Sequence, residues 1–151
     1  MKTILVLSDT HGNISALEKL VPIMKDSDYI FHLGDFERDI KLFKEFDNKI
    51  VSVKGNCDGG GKDQIIEIEN NKILLTHGDK YGVKQSLLRL TLKATELGAN
   101  LVFYGHTHLP KIEEYNGITF INPGSATAFS NRSYCYTVIC KDKIVSKIVN
   151  F

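Results

Sequence analysis

Five short apolar runs in this chain each stop at a tip of Asp, Asn or His beside Gly, and this recurrence limits the possible folds more than any other feature. The runs cover 3–7, 29–33, 50–53, 73–75 and 101–104; their tips are Asp9-x-His11, Gly34-Asp35, Gly55-Asn56, His77-Gly78 and Gly105-His106-x-His108. A continuous apolar run of this length, bounded by turn residues, is the pattern of a strand buried on both faces. In open α/β sheets the ligand crevice lies beyond the carboxyl ends of the strands, so polar tips on separate strands converge on one edge. Glycine at each tip lets the chain turn sharply and lets backbone approach a bound group closely.

The segments between the runs set the class. Ile14, Leu17, Leu20, Val21 and Met24 recur at helical spacing, with Asn13 or Ser15 suited to cap the helix and Pro22 predicting a kink or an early end. Ile40, Phe43 and Phe46 fit one face of a short helix. Strand and helix thus alternate as far as residue 53, which predicts parallel strands joined by crossover helices. Beyond that point, 65–68 and 73–75 flank Glu69-Asn70-Asn71-Lys72 and read as an antiparallel hairpin. A third helix carries Leu87, Leu88, Leu90, Ala94 and Leu97 on its apolar face and stops at Gly98. After the run at 101–104 the chain is β: 111–115 and 118–121 about Asn116-Gly117, then a long pair at 134–139 and 144–149. The class is α/β. A chain of 151 residues without linker or repeat is expected to form a single domain over 1–151.

Charge and termini narrow the partners. Lys and Arg number 19 against 18 Asp and Glu, and no basic stripe is present, so stable nucleic-acid binding is not expected. The N-terminal apolar run, Ile4 to Leu7, is too short for a signal peptide or a membrane span; no membrane association and a cytoplasmic location are expected. Cys57, Cys135 and Cys140 are an odd set without disulfide-framework spacing, and the latter two read as small apolar core residues.

Four of the five histidines stand in the tips. Neutral imidazole with carboxylate and amide oxygen suits Mn, Fe, Zn or Ni, and suits neither Ca nor a thiolate zinc site. The seven donors Asp9, His11, Asp35, Asn56, His77, His106 and His108 are too many for one catalytic ion with open positions. They match two ions bridged by a carboxylate, a device for phosphoryl transfer in which the ions sit roughly 3.5–4 Å apart. Singly, each tip has an ordinary explanation: Asp-x-His caps a helix, and Gly-Asp and Gly-Asn make turns. The ordered set carries the metal reading.

That ordered set resembles the calcineurin-like metallophosphoesterase superfamily. The opening Ser8-Asp9-Thr10-His11-Gly12-Asn13, then Gly55-Asn56-Cys57-Asp58 and Asn122-Pro123-Gly124-Ser125, are similar to its small prokaryotic phosphodiesterase branch. The resemblance implies a four-layer α-β-β-α sandwich of two mixed sheets flanked by helices. It implies two divalent ions, Mn²⁺ being the first choice and Ni²⁺, Fe²⁺, Zn²⁺ or Mg²⁺ the alternatives. Asp9, His11 and His108 would hold one ion, Asn56, His77 and His106 the other, and Asp35 would bridge them. The implied reaction is hydrolysis of a small-molecule phosphodiester by a metal-bridging hydroxide. Asp35, Asn56 and His77 would carry catalysis, with Asn56 also touching the substrate phosphate. Members of the family often form dimers or larger assemblies, which leaves a homo-oligomer open.

Two departures bear on chemistry. Many relatives read Gly-Asn-His-Glu, whose His is a candidate acid for the leaving group; here that position is Cys57, followed by Asp58. A thiol is a poorer proton donor to an alkoxide, which disfavours unactivated alkyl monoesters. A small packing residue is the plain alternative for Cys57. The Gly-Asp-x-x-Asp-Arg pattern reads Gly34-Asp35-Phe36-Glu37-Arg38-Asp39, and no role is carried over to Glu37, Arg38 or Asp39. His32 is expected to be structural. Ser125, Asn131 and Arg132 are candidates to line the substrate edge, with Arg132 able to grip phosphate bidentately unless it is simply an exposed loop arginine. Phe120, Phe129 and Tyr136 are expected in the core. Two further readings stay open: a phosphomonoesterase on the same site, and a metal-bearing scaffold for protein partners, the role of one retromer subunit that resembles this family.

Overall fold

The computed structural model describes residues 1–127 and 131–151. In chain order it contains β1 (Lys2–Leu7), α1 (Ile14–Lys19), α2 (Val21–Asp26), β2 (Tyr29–His32), β3 (Ile50–Ser52), β4 (Gln64–Ile68) and β5 (Asn71–Leu75). Then follow α3 (Leu88–Leu97), β6 (Leu101–Phe103), β7 (Lys111–Tyr115), β8 (Ile118–Asn122), β9 (Ser133–Cys140) and β10 (Lys143–Asn150). The strands make two five-stranded mixed sheets, ordered β10-β9-β1-β2-β3 and β4-β5-β6-β8-β7. β1, β2 and β3 run parallel, with β9 antiparallel against β1. β5, β6 and β8 run parallel, with an antiparallel neighbour at each end.

Alternation along each strand explains why the runs are apolar throughout. Ile4 and Val6 point between the sheets, where they meet Phe31, Leu33, Ile73, Leu75, Phe103 and Ile121. Phe31 and Phe103 pack edge-on across this interface, with ring centroids 5.6 Å apart. Leu5 and Leu7 point outward and are covered by Leu17, Leu20 and Met24 of the α1–α2 segment. On the far side Leu74, Val102 and Phe120 are covered by Leu90 and Ala94 of α3. The order of layers is therefore helix, sheet, sheet, helix, as the resemblance implies.

Local details follow from residue chemistry. Asn13 Oδ1 accepts from Ala16 N at 3.3 Å and caps α1. The helix breaks at Leu20, and Pro22 falls in the first turn of α2, where its missing N–H costs nothing. Asn116 and Gly117 take φ of 53° and 74°, the type I′ geometry whose twist matches the flanking β7 and β8. The expected short helix at 40–46 is instead two 3₁₀ segments, Glu37–Leu42 and Lys44–Phe46. The spacing of Ile40, Phe43 and Phe46 is three residues, which suits the 3₁₀ period better than 3.6. Leu88 opens α3 but is 60% exposed, so it does not belong to the buried face. Cys135 is buried and Cys140 exposed, the latter lying at the end of β9 beyond the packed face. Phe120 is buried and Tyr136 half-buried against the outer layer; Phe129 lies outside the described residues. Among the described residues no helix is long and apolar enough to cross a membrane.

Candidate metal centre

Backbone contacts join the tips within each sheet, and the two sets of tips meet at one edge. Asp9 N donates to Gly34 O at 2.9 Å, and Gly105 N to His77 O at 3.0 Å. His106 N reaches across the sheets to Asp9 Oδ2 at 3.1 Å. Close approach between loops requires glycine: a Cβ on Gly55 would stand 2.6 Å from Asp35 N, and one on Gly34 would stand 2.6 Å from Gly55 N. Asp9, His11, Asp35, His106 and His108 all adopt left-handed backbone, with φ of 54°, 44°, 60°, 70° and 62°. Such conformations cost of order 1–3 kcal/mol each in a non-glycine residue and persist only where the surroundings impose them. Their concentration here marks a site arranged for something other than stability.

The tip side chains form two groups that share a member. Asp9, His11, Asp35 and His108 each present a donor atom within 4.8 Å of the others, and Asp35, His77 and His106 do the same. Asp35 faces both groups: Oδ2 is 3.5 Å from His11 Nε2, and Oδ1 is 3.4 Å from His77 Nε2. His108 Nε2 is 3.0 Å from Asp9 Oδ1. Asn56 joins the second group through Oδ1, 3.0 Å from His77 Nε2, and His106 Nδ1 lies 3.2 Å from the same nitrogen. The structure thus brings all seven residues together.

Two observations test whether a cation fits. His77 Nδ1 lies 2.7 Å from the Leu33 carbonyl, which only accepts, so the ring proton sits on Nδ1 and Nε2 turns its lone pair into the cluster. That lone pair meets the oxygens of Asn56 and Asp35, acceptors that need a positive charge between them. His11 Nε2 is buried and has no hydrogen-bond partner among the described residues. Buried polar atoms are nearly always paired, so this one points to a ligand. The donor set fits divalent metal.

Electrostatics agree. Burial raises the Asp9 carboxyl, but the hydrogen bonds from His108 and the Ser8 hydroxyl help outweigh it and hold Asp9 below the usual carboxylate range. His106 is pushed down by burial first. His108 is pulled up, chiefly by its hydrogen bond to Asp9.

Several groups that position the cluster escape the sequence motifs. Asp58 Oδ1 accepts from Phe36 N at 2.8 Å and Glu37 N at 3.1 Å, while its Oδ2 accepts from Gly55 N at 2.9 Å. It therefore ties the Asp35 tip to the Asn56 tip. Its reach back over three residues to a backbone N–H is a capping pattern visible in Gly55-x-x-Asp58. Asp39, buried, accepts from Thr10 Oγ1 and from Gly12 N, both at 2.7 Å, and so braces the Asp9-x-His11 turn. His32 is fully buried between Gly34 N and Thr10 Oγ1, a structural placement as expected. Asn122 Nδ2 holds the last tip through Gly105 O and Thr107 Oγ1.

Residues expected at the substrate edge are placed differently. Ser125 is buried and donates to the Asp9 carbonyl at 3.0 Å, so it supports the turn rather than facing a ligand. Arg132 Nε donates to Phe151 O at 3.2 Å, and its guanidinium stacks on the Phe151 ring. Cys57 is exposed, and its backbone N–H donates to Asp35 Oδ1 at 2.9 Å.

Residues 1–143 match the family profile described as the calcineurin-like phosphoesterase superfamily domain. A phosphodiesterase of Methanocaldococcus jannaschii is 31% identical over 148 residues, covering 82% of this chain and 84% of its own. A predicted phosphoesterase of Streptococcus pneumoniae superposes with a TM-score of 0.83 at 29% identity, covering 99% of this chain and 89% of that one. Vacuolar protein sorting 29 of Cryptosporidium parvum superposes at 0.85 with 20% identity, covering 99% and 91%, a likeness of fold alone. With the fold, the donor cluster and the profile in agreement, this chain belongs to the calcineurin-like phosphoesterase superfamily of metal-dependent phosphoester hydrolases.

Proposed function

We propose that the protein hydrolyses a small phosphodiester in the cytoplasm with two divalent ions, Mn²⁺ in the first instance. Asp9, His11 and His108 would hold one ion, Asn56, His77 and His106 would hold the other, and Asp35 would serve both. The observation that carries this reading is the disposition of Asp35, whose two oxygens face separate histidine groups. Bound there, the ions supply an acidified water and positive charge for the phosphoryl oxygens. The chain's own residues do the rest. Leu33 O fixes the direction of His77, so its lone pair is preset and does not reorganise during reaction. Among the described residues Asn56 Nδ2 has no hydrogen-bond partner but the Cys57 sulfur, at 3.8 Å, and is available to a phosphate oxygen. In the hydrolysis a water oxygen bonds to phosphorus as one ester P–O bond breaks, and the departing oxygen takes a proton. A thiol at Cys57 is a weaker acid for that proton than an imidazolium, which supports activated or aryl leaving groups over unactivated alkyl monoesters.

The test is hydrolysis of bis(p-nitrophenyl) phosphate beside p-nitrophenyl phosphate, with Mn²⁺ and with chelator, for the parent protein and Asp35→Ala. Mn²⁺-dependent diester turnover, abolished by chelator and reduced by roughly a thousandfold or more in Asp35→Ala, is expected. Faster monoester turnover would make it a phosphomonoesterase. Two bound ions with no turnover of either ester would leave a protein-binding scaffold.

A further inference from the structure

A groove of about 640 Å³ lies on the outer face of the second sheet, between the segment entering α3 and strand β7. That is the size range of small-molecule sites. Its walls include Leu87, Leu88, Leu109 and Tyr115. Three of these are among the exposed large apolar residues: Leu88 at 60%, Leu109 at 69% and Tyr115 at 55%. Clustered apolar exposure of this kind marks a contact surface. The groove reaches the segment that carries two of the donors. Thr107, in its wall, stands between His106 and His108, and Leu109 follows His108.

One polar group opens into this space. Tyr104 lines the groove, and its hydroxyl has no hydrogen-bond partner among the described residues. A tyrosine hydroxyl on an otherwise apolar wall can donate to a ligand atom.

We propose that this groove is the subsite for one organic substituent of the phosphodiester: an uncharged, ring-bearing group, aryl or nucleoside, with its ring between Leu87, Leu109 and Tyr115 and a polar atom on the Tyr104 hydroxyl. The assignment rests on the phosphodiesterase reading. Lys111 on β7 is already paired with Glu113 at 3.3 Å, so the apolar residues of the groove rather than that lysine would meet the substituent. Continuity with His106 and His108 selects a substrate substituent over a protein segment as occupant.

The experiment uses three p-nitrophenyl phosphodiesters that share a leaving group and differ in the second ester: methyl, phenyl and 5′-thymidyl. The parent protein with Mn²⁺ should favour phenyl and thymidyl over methyl in kcat/KM by roughly tenfold or more. Tyr104→Phe should cut the thymidyl-to-methyl ratio by about three- to tenfold, the loss of one hydrogen bond. Leu109→Glu should collapse the ring preference for both esters, whereas Leu92→Ser, an exposed α3 position outside the groove, should leave all three rates as in the parent. A second readout is independent of turnover. In metal-stripped protein, saturation-transfer NMR should reach the thymine and ribose protons of the thymidyl ester, and Leu109→Glu should abolish that transfer. Equal rates for the three esters, or a preference unmoved by Tyr104→Phe and Leu109→Glu, overturns the groove assignment while the diesterase reading stands. No turnover of any ester overturns both.

Discussion

Asp58 offers the sharpest test of how the centre is held, because it touches none of the seven donors yet fastens the loops that carry two of them. Its carboxylate accepts three backbone N–H bonds, at 2.8 and 3.1 Å from the Asp35 tip and 2.9 Å from the Asn56 tip. A hydrogen bond to a charged group contributes about 1.5–3 kcal/mol net, but three bonds sharing one half-buried carboxylate are not additive and together fall below the sum of three, so Asp58→Ala should cost about 3 kcal/mol. For a chain of this size that lowers Tm by roughly 6–12 °C. Asp58→Asn keeps a carbonyl oxygen for Phe36 and Glu37 but presents an amide to Gly55 N, and should cost about 1 kcal/mol. Left-handed backbone at Asp35 and Phe36, with φ of 60° and 65°, depends on this anchor. Mn²⁺ affinity should therefore fall by about 10–100-fold in Asp58→Ala, as when groups behind metal ligands are removed elsewhere. Urea unfolding of the metal-free protein followed by circular dichroism, and Mn²⁺ titration of the folded protein, measure the two effects. Stability within 0.5 kcal/mol of the parent, as expected only for surface positions without such bonds, would refute the clamp. Lost stability with unchanged Mn²⁺ affinity would refute the coupling of clamp to centre.

Other expectations are equally direct. His108→Ala should lose mainly the ion assigned to Asp9, His11 and His108; two Mn²⁺ equivalents retained by elemental analysis would contradict that assignment. His32 is held neutral, its pKa pushed down to about 4 by burial against the opposing carboxylates, while the unfolded chain takes up that proton near 6.5. Stability from this residue is complete above pH 6.5 and is lost as pH falls toward 4, by about 3 kcal/mol. His32→Gln should flatten that limb of the pH–stability curve by the same amount, and an unchanged slope would show that His32 does not set it. Cys57→His restores a stronger acid beside the leaving group and should raise monoester relative to diester turnover; a constant ratio would make Cys57 irrelevant to proton donation.

Much of the centre is legible in the sequence because its donors sit where a strand must end. A strand buried on both faces seldom carries Asp or His before it leaves the sheet, His32 at the last position of β2 being held by two hydrogen bonds, so the polar residue beside glycine announces the edge at which ligands bind. That logic reaches Asp9, His11, Asp35, Asn56, His77, His106 and His108 without knowing how the strands pair. It fails for Ser125 and Arg132, which follow the same kind of turn: one turns inward to the Asp9 carbonyl, the other toward Phe151. Side-chain direction after a turn depends on what lies across from it, and no periodicity encodes that. At 40–46, a three-residue apolar spacing fits two helical periods, and the backbone took the tighter one.

What the amino-acid order determines by itself is local: buried strands, their polar ends, the break at Pro22, the Asn116-Gly117 turn and the chemistry of the donors. Each follows from sterics or solvation within a few residues. What tertiary structure alone decides is adjacency across long separations. It places β9 beside β1, sets His106 N on Asp9 Oδ2, makes Asp39 and Asp58 into braces and leaves the Tyr104 hydroxyl open to a groove. The reason is physical. Burial drives any apolar strand into the core with little directional preference, whereas the meeting of two particular polar atoms depends on the register of both sheets and on the loops packed between them.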